Sequence, residues 1–486
     1  MSYKYSFPDG WAEGELQEFC IKVADGTHDS PKKSDDGKLL VTSKNIIGGI
    51  LDLSKSYRIS EGDFNEVNRR SKVDINDVLL SMIGTVGEAC LIEQEPDFAI
   101  KNVGLLKNDD PLRAKWLYFY LTSPQAQAQI KERLRGTTQQ YLPLGEIRKF
   151  PIIFPESRAL MQSIVEILGA LHNKIQLNHQ INQTLEQMAQ ALFKSWFVDF
   201  EPVKAKIAAL EAGGSEEDAL LAAMQVIAGN ARECASAAEG RAPGTATGGK
   251  LARLQAEQPE RYAELRATAK LFPSAMQDSE LGEIPEGWSV SSIYEIADVV
   301  YGAPFKSKLF NQIGDGTPLI RIRDLKNERP GVRTPEEHPK GYLVQNGDLL
   351  VGMDGEFKPY IWGSGPAWMN QRVCCFKPKD SYSVGLIKGF IEPQLRELEL
   401  TATATTVIHL GKGDINRFEF LNSGSPLLRV FSKITNSLIE QIIMNKSSTS
   451  TLEQLRNALL PKLLSGELSV SDAETWPEEA EEHANV

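Results

Sequence analysis

One segment of this chain occurs twice, and its two copies constrain the fold more than any other feature. Residues 184–193 (TLEQMAQALF) and 451–460 (TLEQLRNALL) are identical at six of ten positions, at a constant offset of 267 residues. Both copies place apolar residues at i, i+3, i+7 and i+8, which is the spacing of one face of an α-helix. The apolar spacing continues upstream through Ile164 in the first copy and through Phe431 and Ile434 in the second. Each copy therefore predicts a helix of roughly forty residues, or about 60 Å.

A long helix with one apolar face must bury that face, and two helices of matched length in one chain do so most simply against each other. Asn178 and Asn445 occupy matching positions where an apolar residue is due. A polar residue in such a seam can fix the register of a coiled coil, although two solvated asparagines at the helix edges explain the pattern equally well. The predicted seam of the helix pair consists of Leu168, Leu171, Ile175, Asn178, Leu185, Met188, Leu192, Leu438, Ile442, Asn445, Leu452, Leu455 and Leu459.

The duplication extends to the segments that precede the two helices. PDGW at residues 8–11 is matched by PEGW at 285–288, and DVLLSM at 77–82 is matched by DLLVGM at 348–353. Residues 40–46 and 319–325 also match, and their alternation predicts a strand in each half. The sequence therefore predicts an α+β fold, with two pseudo-repeated mixed α/β domains joined by two long antiparallel coiled-coil helices.

The domain boundaries follow from this order. We predict a first globular domain at 1–155, a first spacer helix at 156–200, a partly helical flexible connector at 201–279, a second globular domain at 280–422, a second spacer helix at 423–468 and an acidic disordered tail at 469–486. The connector is rich in Ala, Gly and Glu, with short helices predicted at 216–227 and 251–269. The tail holds six acidic residues and no lysine or arginine after Val470, a composition typical of disorder.

Charge and cysteine content limit the classes of function. The net charge is −12, and the tail supplies half of it. Residues 1–155 carry 20 basic and 22 acidic groups, and residues 280–422 carry 16 and 19. A grip on DNA would therefore need basic groups clustered on one face, or a partner that neutralises phosphate. Five cysteines without a CxxC pair, and no apolar run long enough to cross a bilayer, predict a cytoplasmic protein.

Catalytic signals in the sequence are weak. GTATGGK at residues 244–250 matches a phosphate-binding loop through its lysine, but Leu251 stands where such loops need Ser or Thr. Asp354, Glu356 and Lys358 form a carboxylate-x-lysine fragment of the kind found in metal-dependent nucleases, although an acidic turn explains them better. The six histidines are scattered and have no helical pair. The sequence predicts neither a catalytic site nor a metal site in this chain.

Binding signals are stronger and lie in polar loops. A hydroxyl- and amide-rich loop at residues 136–141 follows a basic helix end, and residues 401–406 occupy the equivalent place in the second half. Such side chains beside arginines suit contacts with phosphates and base edges, although a plain surface turn remains the alternative. Arg321 and Arg323 alternate along one predicted strand, where a solvated sheet face is the alternative. The candidate DNA-binding residues are Thr27, His28, Lys44, Asn45, Lys101, Asn102, Arg133, Arg135, Thr137, Thr138, Gln139, Gln140, Arg321, Arg323, Gln371, Arg372, Thr405, Thr406 and Lys412.

The motifs and their duplication resemble the specificity subunits of type I restriction–modification systems. The resemblance is carried by DGTHDSP at residues 25–31, PEGW at 285–288, LFKSWFVDFEPV at 192–203 and the two TLEQ helices. It covers nearly the whole chain up to about residue 468, without the connector and the acidic tail. The second half departs from the pattern because it has no Asp-Gly-x-His motif.

The resemblance implies that each globule is a target-recognition domain that reads one half of a bipartite, asymmetric DNA site. It also implies that the helix pair sets the spacing of the half-sites and docks two modification (methyltransferase) subunits, with restriction subunits as optional further partners. S-adenosylmethionine, ATP and magnesium would then be bound by those partners and not by this chain, which would have no catalytic role. The competing hypotheses are a metal-dependent nuclease or methylase-associated enzyme, and an adaptor that docks proteins without reading DNA.

Overall fold

The structure is a computed structural model that describes residues 9–137, 139–238, 248–280, 282–379, 381–401 and 409–468. The chain forms two compact units, with boundaries between Ile175 and Gln176 and between Ser450 and Thr451. Unit 1 contains the chain before the first boundary and after the second, and unit 2 contains the chain between them. Both boundaries fall inside long helices, Arg158–Phe197 and Ser425–Ser465, which are called here the first and second long helix.

The globule of unit 1 is built on short, mostly antiparallel strands. A four-stranded antiparallel sheet has the order Lys22–Asp25, Val103–Lys107, Val78–Ser81, Ala89–Leu91. A three-stranded sheet has the order Tyr57–Ile59, Lys38–Thr42, Phe98–Lys101, and its last two strands run parallel. Two-stranded sheets pair Trp11–Glu15 with Pro151–Pro155 and Ile46–Ile47 with Ile50–Leu51. Every residue of Val78–Ser81 is buried, so the larger sheet is covered on both faces.

The principal helix of this globule, Pro111–Thr122, has clear causes in the sequence. Asp110 precedes it and accepts the N–H of Leu112 at 2.9 Å, and the proline at its first position has no N–H that would need a partner. Eight of its twelve residues are buried, as expected of a helix that is apolar on most of its surface. The other helices are Leu16–Phe19, Glu61–Ser71, Pro124–Glu132 and Leu144–Arg148, with single 3₁₀ turns at Ser43–Asn45 and Leu53–Lys55.

The globule of unit 2 repeats the four-stranded sheet of unit 1 in the same strand order. Its four-stranded antiparallel sheet has the order Ala297–Tyr301, Val373–Pro378, Leu349–Gly352, Pro359–Ile361. Its second sheet has the order Arg333–Thr334, Thr317–Ile320, Ala367–Met369, Leu343–Val344, and the middle two strands run parallel. Two-stranded sheets pair Ser289–Ser292 with Glu419–Asn422 and Met276–Ser279 with Gly282–Pro285. The helices of this globule are Ile322–Leu325, Val384–Thr401 and Lys412–Ile415, with 3₁₀ turns at Ile293–Glu295 and Ser307–Leu309.

The shared strand order confirms the predicted α+β fold of two pseudo-repeated globules, each followed by a long helix. In both halves the last strand before the long helix pairs with the first strand of the globule, as Pro151–Pro155 does with Trp11–Glu15 and Glu419–Asn422 does with Ser289–Ser292. In the residues that the structure describes, no helix combines the length and the apolar character needed to cross a membrane.

The two long helices pack against each other within each unit. In unit 1, Leu168 of the first helix shares a hydrophobic core with Leu459 and Leu463 of the second. In unit 2, Leu185 and Leu192 of the first helix share a core with Ile442 of the second. The pairing in unit 2 is antiparallel, because Asn178 contacts Thr449 whereas Asn182 contacts Ile442.

The structure places the predicted seam residues as follows. Leu168, Ile175, Asn178, Leu185, Leu192, Ile442, Asn445 and Leu459 are buried, and Leu171, Met188, Leu438, Leu452 and Leu455 are partly buried. Ile434 is exposed and Thr435 takes the buried position beside it, where its hydroxyl bonds to the carbonyl of Phe431 at 3.0 Å. The apolar spacing therefore predicted the wrong residue at this point of the seam. The hydroxyl of Thr435 can be buried in place of an alkyl side chain because it donates to a carbonyl of the preceding helical turn.

A buried layer of polar side chains joins the helices in unit 2. Nδ2 of Asn178 donates to Oγ1 of Thr449 at 3.2 Å and lies 3.4 Å from the carbonyl of Asn445. Nδ2 of Asn445 donates to Oδ1 of Asn182 at 2.9 Å, and Gln441 donates to Oδ1 of Asn445 at 3.0 Å. Asn178 is 1% exposed, so the layer satisfies polar groups that water does not reach.

Ion pairs tie the unit 2 globule to both long helices. Nζ of Lys388, in helix Val384–Thr401, lies 2.6 Å from Oε2 of Glu186 on the first long helix. Lys446 on the second long helix pairs with Glu328 and also donates to the carbonyl of Ile361 at 2.6 Å. Burial raises the pKa of Glu186, but the attraction and hydrogen bond of Lys388 outweigh it, so the pKa lies below the usual 4.5.

The segment that follows the first long helix is helical at both predicted places, and it has an additional helix at Glu201–Glu211. It forms the helices Glu201–Glu211, Glu216–Ala238, Gly248–Glu257 and Pro259–Lys270. Val203, Met224 and Phe272 of this segment are buried in the core of unit 2. The apolar faces of these helices contain many alanines, such as Ala223 and Ala269, which pack closely but give a weak hydrophobic pattern. Residues 239–247 and the predicted tail at 469–486 lie outside the described residues.

Substituting Asn178 should test the polar layer. The Asn178→Ala variant should lower the free energy of unfolding by about 1–3 kcal/mol, because it removes the hydrogen bond to the buried Oγ1 of Thr449 and the contact with the carbonyl of Asn445. Urea unfolding of the purified chain measures the difference. The control Asn173→Ala, at an exposed position of the same helix, should change stability by less than about 0.5 kcal/mol. Equal losses in the two variants would show that the layer is not stabilising.

Substituting Lys388 should produce a pH-dependent loss of stability. Because the pKa of Glu186 is lowered in the folded state, its pairing stabilises the fold above 4.5 and this contribution disappears as the pH falls through the folded-state pKa. Lys388→Met should therefore cost about 1.5–3 kcal/mol at neutral pH, the range for a hydrogen bond between charged groups, and progressively less in acid, as measured by urea unfolding over a pH series. The control Lys433→Met removes an exposed pair with Glu264 and should cost under about 1 kcal/mol. A loss for Lys388→Met that is independent of pH would contradict the ion-pair explanation.

Candidate nucleic-acid interface

The first cluster of candidate residues in unit 1 lies where strand Lys22–Asp25 ends. The backbone of Thr27 pairs with that of Lys101 and donates to the carbonyl of Ile100 at 3.0 Å. Nδ1 of His28 lies 2.8 Å from Oδ1 of Asn102, and its Nε2 lies 2.9 Å from Oδ2 of Asp25. The structure therefore brings Thr27, His28, Lys101 and Asn102 together at one end of the two sheets.

The fold holds this cluster from below. Asp25 is 7% exposed, and NH2 of Arg70 donates to its Oδ1 at 2.9 Å and to the carbonyl of Gly26 at 3.0 Å. A Cβ on Gly26 would lie 2.3 Å from the carbonyl oxygen of Ile100, so only glycine allows this close approach of the two chains. The sequence signal at Asp25 and Gly26 thus has a structural cause, and it leaves His28 exposed. Sequence reasoning missed Arg70, which lies more than forty residues away and has no motif around it.

The structure corrects the strand predicted at residues 40–46. The strand ends at Thr42, and a 3₁₀ turn follows at Ser43–Asn45. Oδ1 of Asn45 accepts the N–H of Thr42 at 2.8 Å, which turns the chain out of the sheet. Asn45 is 3% exposed and also donates to the carbonyl of Asp52 at 2.9 Å, so its side chain is committed to the fold and not to a ligand. Lys44 in the same turn is exposed.

The described residues of the loop at 136–141 are exposed. Arg135 and Tyr141 exchange two backbone hydrogen bonds of 2.9 Å, which close the loop, and the N–H of Leu142 donates to the carbonyl of Met82 at 2.9 Å. The exposed candidates of this loop are Thr137, Gln139 and Gln140, while Thr138 lies outside the described residues.

The two candidate arginines of unit 1 differ in their surroundings. Arg133 is partly buried, with its guanidinium 5.1 Å from the ring centre of Phe150 and NH1 bonded to the carbonyl of Gln129. Arg135 is 60% exposed at its side chain and pairs with Glu146 at 2.9 Å. Arg135 is therefore available to a ligand, and Arg133 mainly packs against the globule.

In unit 2 the prediction that Arg321 and Arg323 alternate along a strand is wrong. The strand ends at Ile320, and a short helix Ile322–Leu325 follows. Oδ2 of Asp324 accepts the N–H of Arg321 at 3.0 Å, which repeats the turn that Asn45 makes in unit 1. The guanidinium of Arg321 also bonds to Asp324 through Nε at 2.9 Å, so this arginine stabilises the turn, whereas Arg323 is exposed.

The other candidates of unit 2 lie on exposed loops. Ala303 pairs with Asn370 as Thr27 pairs with Lys101, which places Gln371 and Arg372 at the position of Asn102. Gln371, Arg372 and Lys412 are exposed, and Thr405 and Thr406 lie outside the described residues. The fold of unit 2 therefore presents its candidate side chains at the same end of the sheets as unit 1.

Asp354 and Lys358 of the fragment considered for a nuclease contact different neighbours. Asp354 contacts His409 and Arg372, and Nζ of Lys358 lies 5.8 Å from the ring centre of Tyr360. No described hydrogen bond or ion pair joins Asp354 to Glu356 or Lys358. Among the described residues, no three His, Cys, Asp or Glu side chains are grouped so that they could hold a metal ion.

Comparison with known proteins agrees with this organisation. Residues 8–187 and 285–420 match the family of type I restriction modification DNA specificity domains. The chain is 32% identical over 368 residues to the specificity subunit of type I restriction enzyme HindI from Haemophilus influenzae, covering 70% of this chain and 73% of that protein. It is 31% identical over 196 residues to the EcoBI specificity subunit from Escherichia coli, covering 39% and 41%. The crystal structure of a type I restriction–modification S subunit from M. genitalium aligns with 95% of this chain and 98% of that chain, at 13% identity and a TM-score of 0.47.

The two matched segments contain one globule each, and together they account for more than half of the sequence. The HindI relative is matched over more than two thirds of both chains. The chain therefore belongs to the family of type I restriction–modification DNA specificity subunits.

Proposed function

We propose that this chain recognises a bipartite, asymmetric DNA site, with one globule reading each half. The observation that carries the proposal is the repeated framework: both four-stranded sheets have the same strand order, and both present exposed polar side chains at the same end. Loops on a fixed scaffold can change their side chains without disturbing the core, as a family of sequence readers requires. Hydroxyl, amide and guanidinium groups are the ones that contact base edges in the major groove.

The long helices are the proposed spacer between the half-sites. Each has about forty residues, which corresponds to about 60 Å of helix, and one turn of B-DNA rises about 34 Å. The buried polar layer supports this role, because hydrogen bonds at fixed positions favour one register of the pair over its neighbours.

The proposed partners are double-stranded DNA, two modification subunits docked on the helices and globules, and restriction subunits as optional further members. S-adenosylmethionine, ATP and magnesium are assigned to those partners, and this chain is assigned no catalytic step. The names of its relatives, which are subunits of restriction enzymes, support such an assembly. We propose that it acts in the cytoplasm, where its DNA substrate is.

The charge of the chain supports a division of labour within this assembly. Neither globule carries an excess of basic groups, yet nonspecific affinity for DNA arises mainly from neutralising phosphates. The modification subunits would supply much of that grip, while this chain supplies contacts with base edges.

Lengthening both long helices should widen the gap in the recognised site. Seven residues inserted after Ile175 and seven inserted before Thr451 would add two turns, about 10 Å, or about three base pairs of DNA at 3.4 Å each. We expect both half-sites to stay the same and the gap between them to grow, as shown by mapping methylated bases in DNA from cells that carry the variant system. The insertion in one helix only is the control, and it should abolish recognition because it breaks the pairing. An unchanged gap in the double insertion would refute the spacer role.

Exchanging residues 1–155 for the equivalent globule of a relative with a different site should change one half-site only. The other half-site should persist because unit 2 is untouched. Methylation mapping of the chimera gives the result, and DNase footprinting of the assembled complex is the control for sequence-specific binding. A change in both half-sites would contradict modular reading, and the absence of any sequence-specific footprint would favour an adaptor that does not read DNA.

A further inference from the structure

Three polar side chains, Asp354, Arg372 and His409, form a cluster on unit 2 that neither the sequence motifs nor the family match assigns as a group. Oδ1 of Asp354 lies 2.7 Å from Nδ1 of His409 and 3.4 Å from NH1 of Arg372. NH1 of Arg372 is also 3.4 Å from Nδ1 of His409, so the three groups are in mutual contact. The side chains of Arg372 and His409 are 54% and 48% exposed, whereas that of Asp354 is 25% exposed. A sheltered carboxylate thus holds two exposed hydrogen-bonding groups.

The backbone fixes the cluster at the end of the four-stranded sheet. Asp354 and His409 form a β-bridge, and the N–H of Leu410 donates to the carbonyl of Met353 at 2.8 Å. The N–H of Met353 in turn donates to the carbonyl of Arg372 at 2.9 Å. All three side chains therefore emerge from segments that are hydrogen-bonded to one another, and their spacing does not depend on a free loop.

The equivalent place in unit 1 has different chemistry. There the bridge joins Ile83 to Tyr141, and the N–H of Leu142 donates to the carbonyl of Met82. The same backbone frame thus carries an apolar side chain and a tyrosine in one globule, and the cluster of Asp354, Arg372 and His409 in the other. The difference lies at the end of the sheets where the exposed polar side chains of both globules are presented.

Unit 2 lacks polar side chains at the end of the neighbouring strand, where unit 1 has Thr27 and His28. Gly302 approaches the backbone of the neighbouring strand as closely as Gly26 does in unit 1. The next two residues differ, because Ala303 and Pro304 occupy the positions that Thr27 and His28 occupy in unit 1. Neither alanine nor proline offers a side-chain hydrogen bond. The recognition chemistry of unit 2 must therefore come from other positions on the frame.

We propose that Arg372 reads a guanine in the half-site bound by unit 2, and that Asp354 and His409 are positioning residues that orient its guanidinium. Arginine offers planar paired donors that match O6 and N7 of guanine in the major groove. A carboxylate that holds one NH group restricts the rotamers of the side chain and leaves the remaining donors exposed, which lowers the entropic cost of binding.

The carboxylate also separates base reading from phosphate binding. Asp354 offsets the charge of Arg372, so the pair attracts a phosphate less than an unpaired arginine would. The remaining N–H groups of Arg372 keep their directionality, which is what recognition of a base edge requires. The same contacts account for Asp354, which the sequence had also associated with a nuclease: its Oδ1 accepts from two neighbours of its own fold.

This proposal rests on the proposed function, and its test separates the two. The complex of this chain with its modification subunits is titrated by fluorescence anisotropy against duplexes in which each guanine of the unit 2 half-site, assigned by the globule exchange, is replaced singly by 7-deazaguanine. The substitution removes N7 and leaves Watson–Crick pairing intact. For the unaltered complex, one position should weaken binding by about threefold to tenfold, because the change removes one of the two hydrogen bonds of a bidentate arginine–guanine contact, which together give about fivefold to a hundredfold.

Substituting Arg372 should abolish the loss of affinity at that one guanine, and substituting Asp354 or His409 should reduce it. Arg372→Ala should bind natural DNA at least as weakly as the unaltered complex binds the 7-deaza duplex, because it removes the donors to O6 as well as to N7, and it should show no further loss on the 7-deaza duplex. Asp354→Asn and His409→Gln should each reduce the 7-deaza effect several-fold while leaving the other guanines of the site unaffected. Arg417→Ala is the matched control, because Arg417 is exposed and paired with Asp414, and it should leave the 7-deaza profile unchanged.

Each other outcome is decisive. If Arg372→Ala keeps the full 7-deaza profile of the unaltered complex, or if the unit 2 half-site contains no guanine, the assignment of Arg372 is wrong. If Asp354→Asn and His409→Gln keep the full effect while Arg372→Ala loses it, the positioning role is wrong. If the unaltered complex does not distinguish its own site from a scrambled duplex, the proposed function fails instead.

Discussion

The burial of two apolar helix faces against each other is the interaction on which the rest of the structure depends. Each half of the helix pair belongs to the hydrophobic core of one unit. Leu459 and Leu463 lie in one core with Trp116 of unit 1. Phe193 and Phe431 lie in one core with Phe390 of unit 2, and their rings are in edge contact. Each globule is therefore built on the helix pair, and its folding requires residues that are far apart in the sequence.

Against that shared frame, the two globules differ in the side chains that they expose. The close approach at Gly26 and Gly302, the turn made by Asn45 and by Asp324, and the strand order recur in both. These features depend on hydrogen bonds of buried backbone groups, so few substitutions at these positions would preserve the fold. The exposed positions beside them carry His28 in one globule and the Arg372 cluster in the other. The DNA sequence that such a globule recognises can change during evolution, because the interactions that stabilise the fold are buried and the side chains that would contact DNA are exposed.

The sequence was sufficient to predict the helix pair, the duplication and the family, and the physical reason is the same for each. Periodic burial leaves a periodic pattern, and a repeat at constant offset makes even isolated positions such as Asn178 and Asn445 recognisable. Features without a periodic pattern were missed. The helix Glu201–Glu211 and the burial of the helices that follow it were not predicted, because their packing uses many small alanine side chains. Arg70 was missed because it contacts Asp25 across the fold, from a distant part of the sequence.

The strands that were predicted to continue through Asn45 and Arg321 end before these residues, at Thr42 and Ile320. Both positions carry side chains that could bind DNA, and both are used by the fold. Oδ1 of Asn45 accepts the N–H of Thr42 at the end of one strand, and Oδ2 of Asp324 accepts the N–H of Arg321 just after the end of the other. Alternation in a sequence cannot distinguish a strand that continues from one that turns after four residues, since the deciding hydrogen bond is made by a side chain.

The same internal pairing explains how a protein without excess positive charge can serve as a reader of DNA. Several of its basic groups are already neutralised by its own carboxylates: Arg70 by Asp25, Lys446 by Glu328. A paired cation contributes less to the attraction of phosphates, but its remaining N–H groups still donate in defined directions. Internal pairing thus exchanges nonspecific affinity for geometry. In the proposed assembly this exchange is favourable, because partner subunits that hold the phosphate backbone leave the reader free to respond to the bases alone.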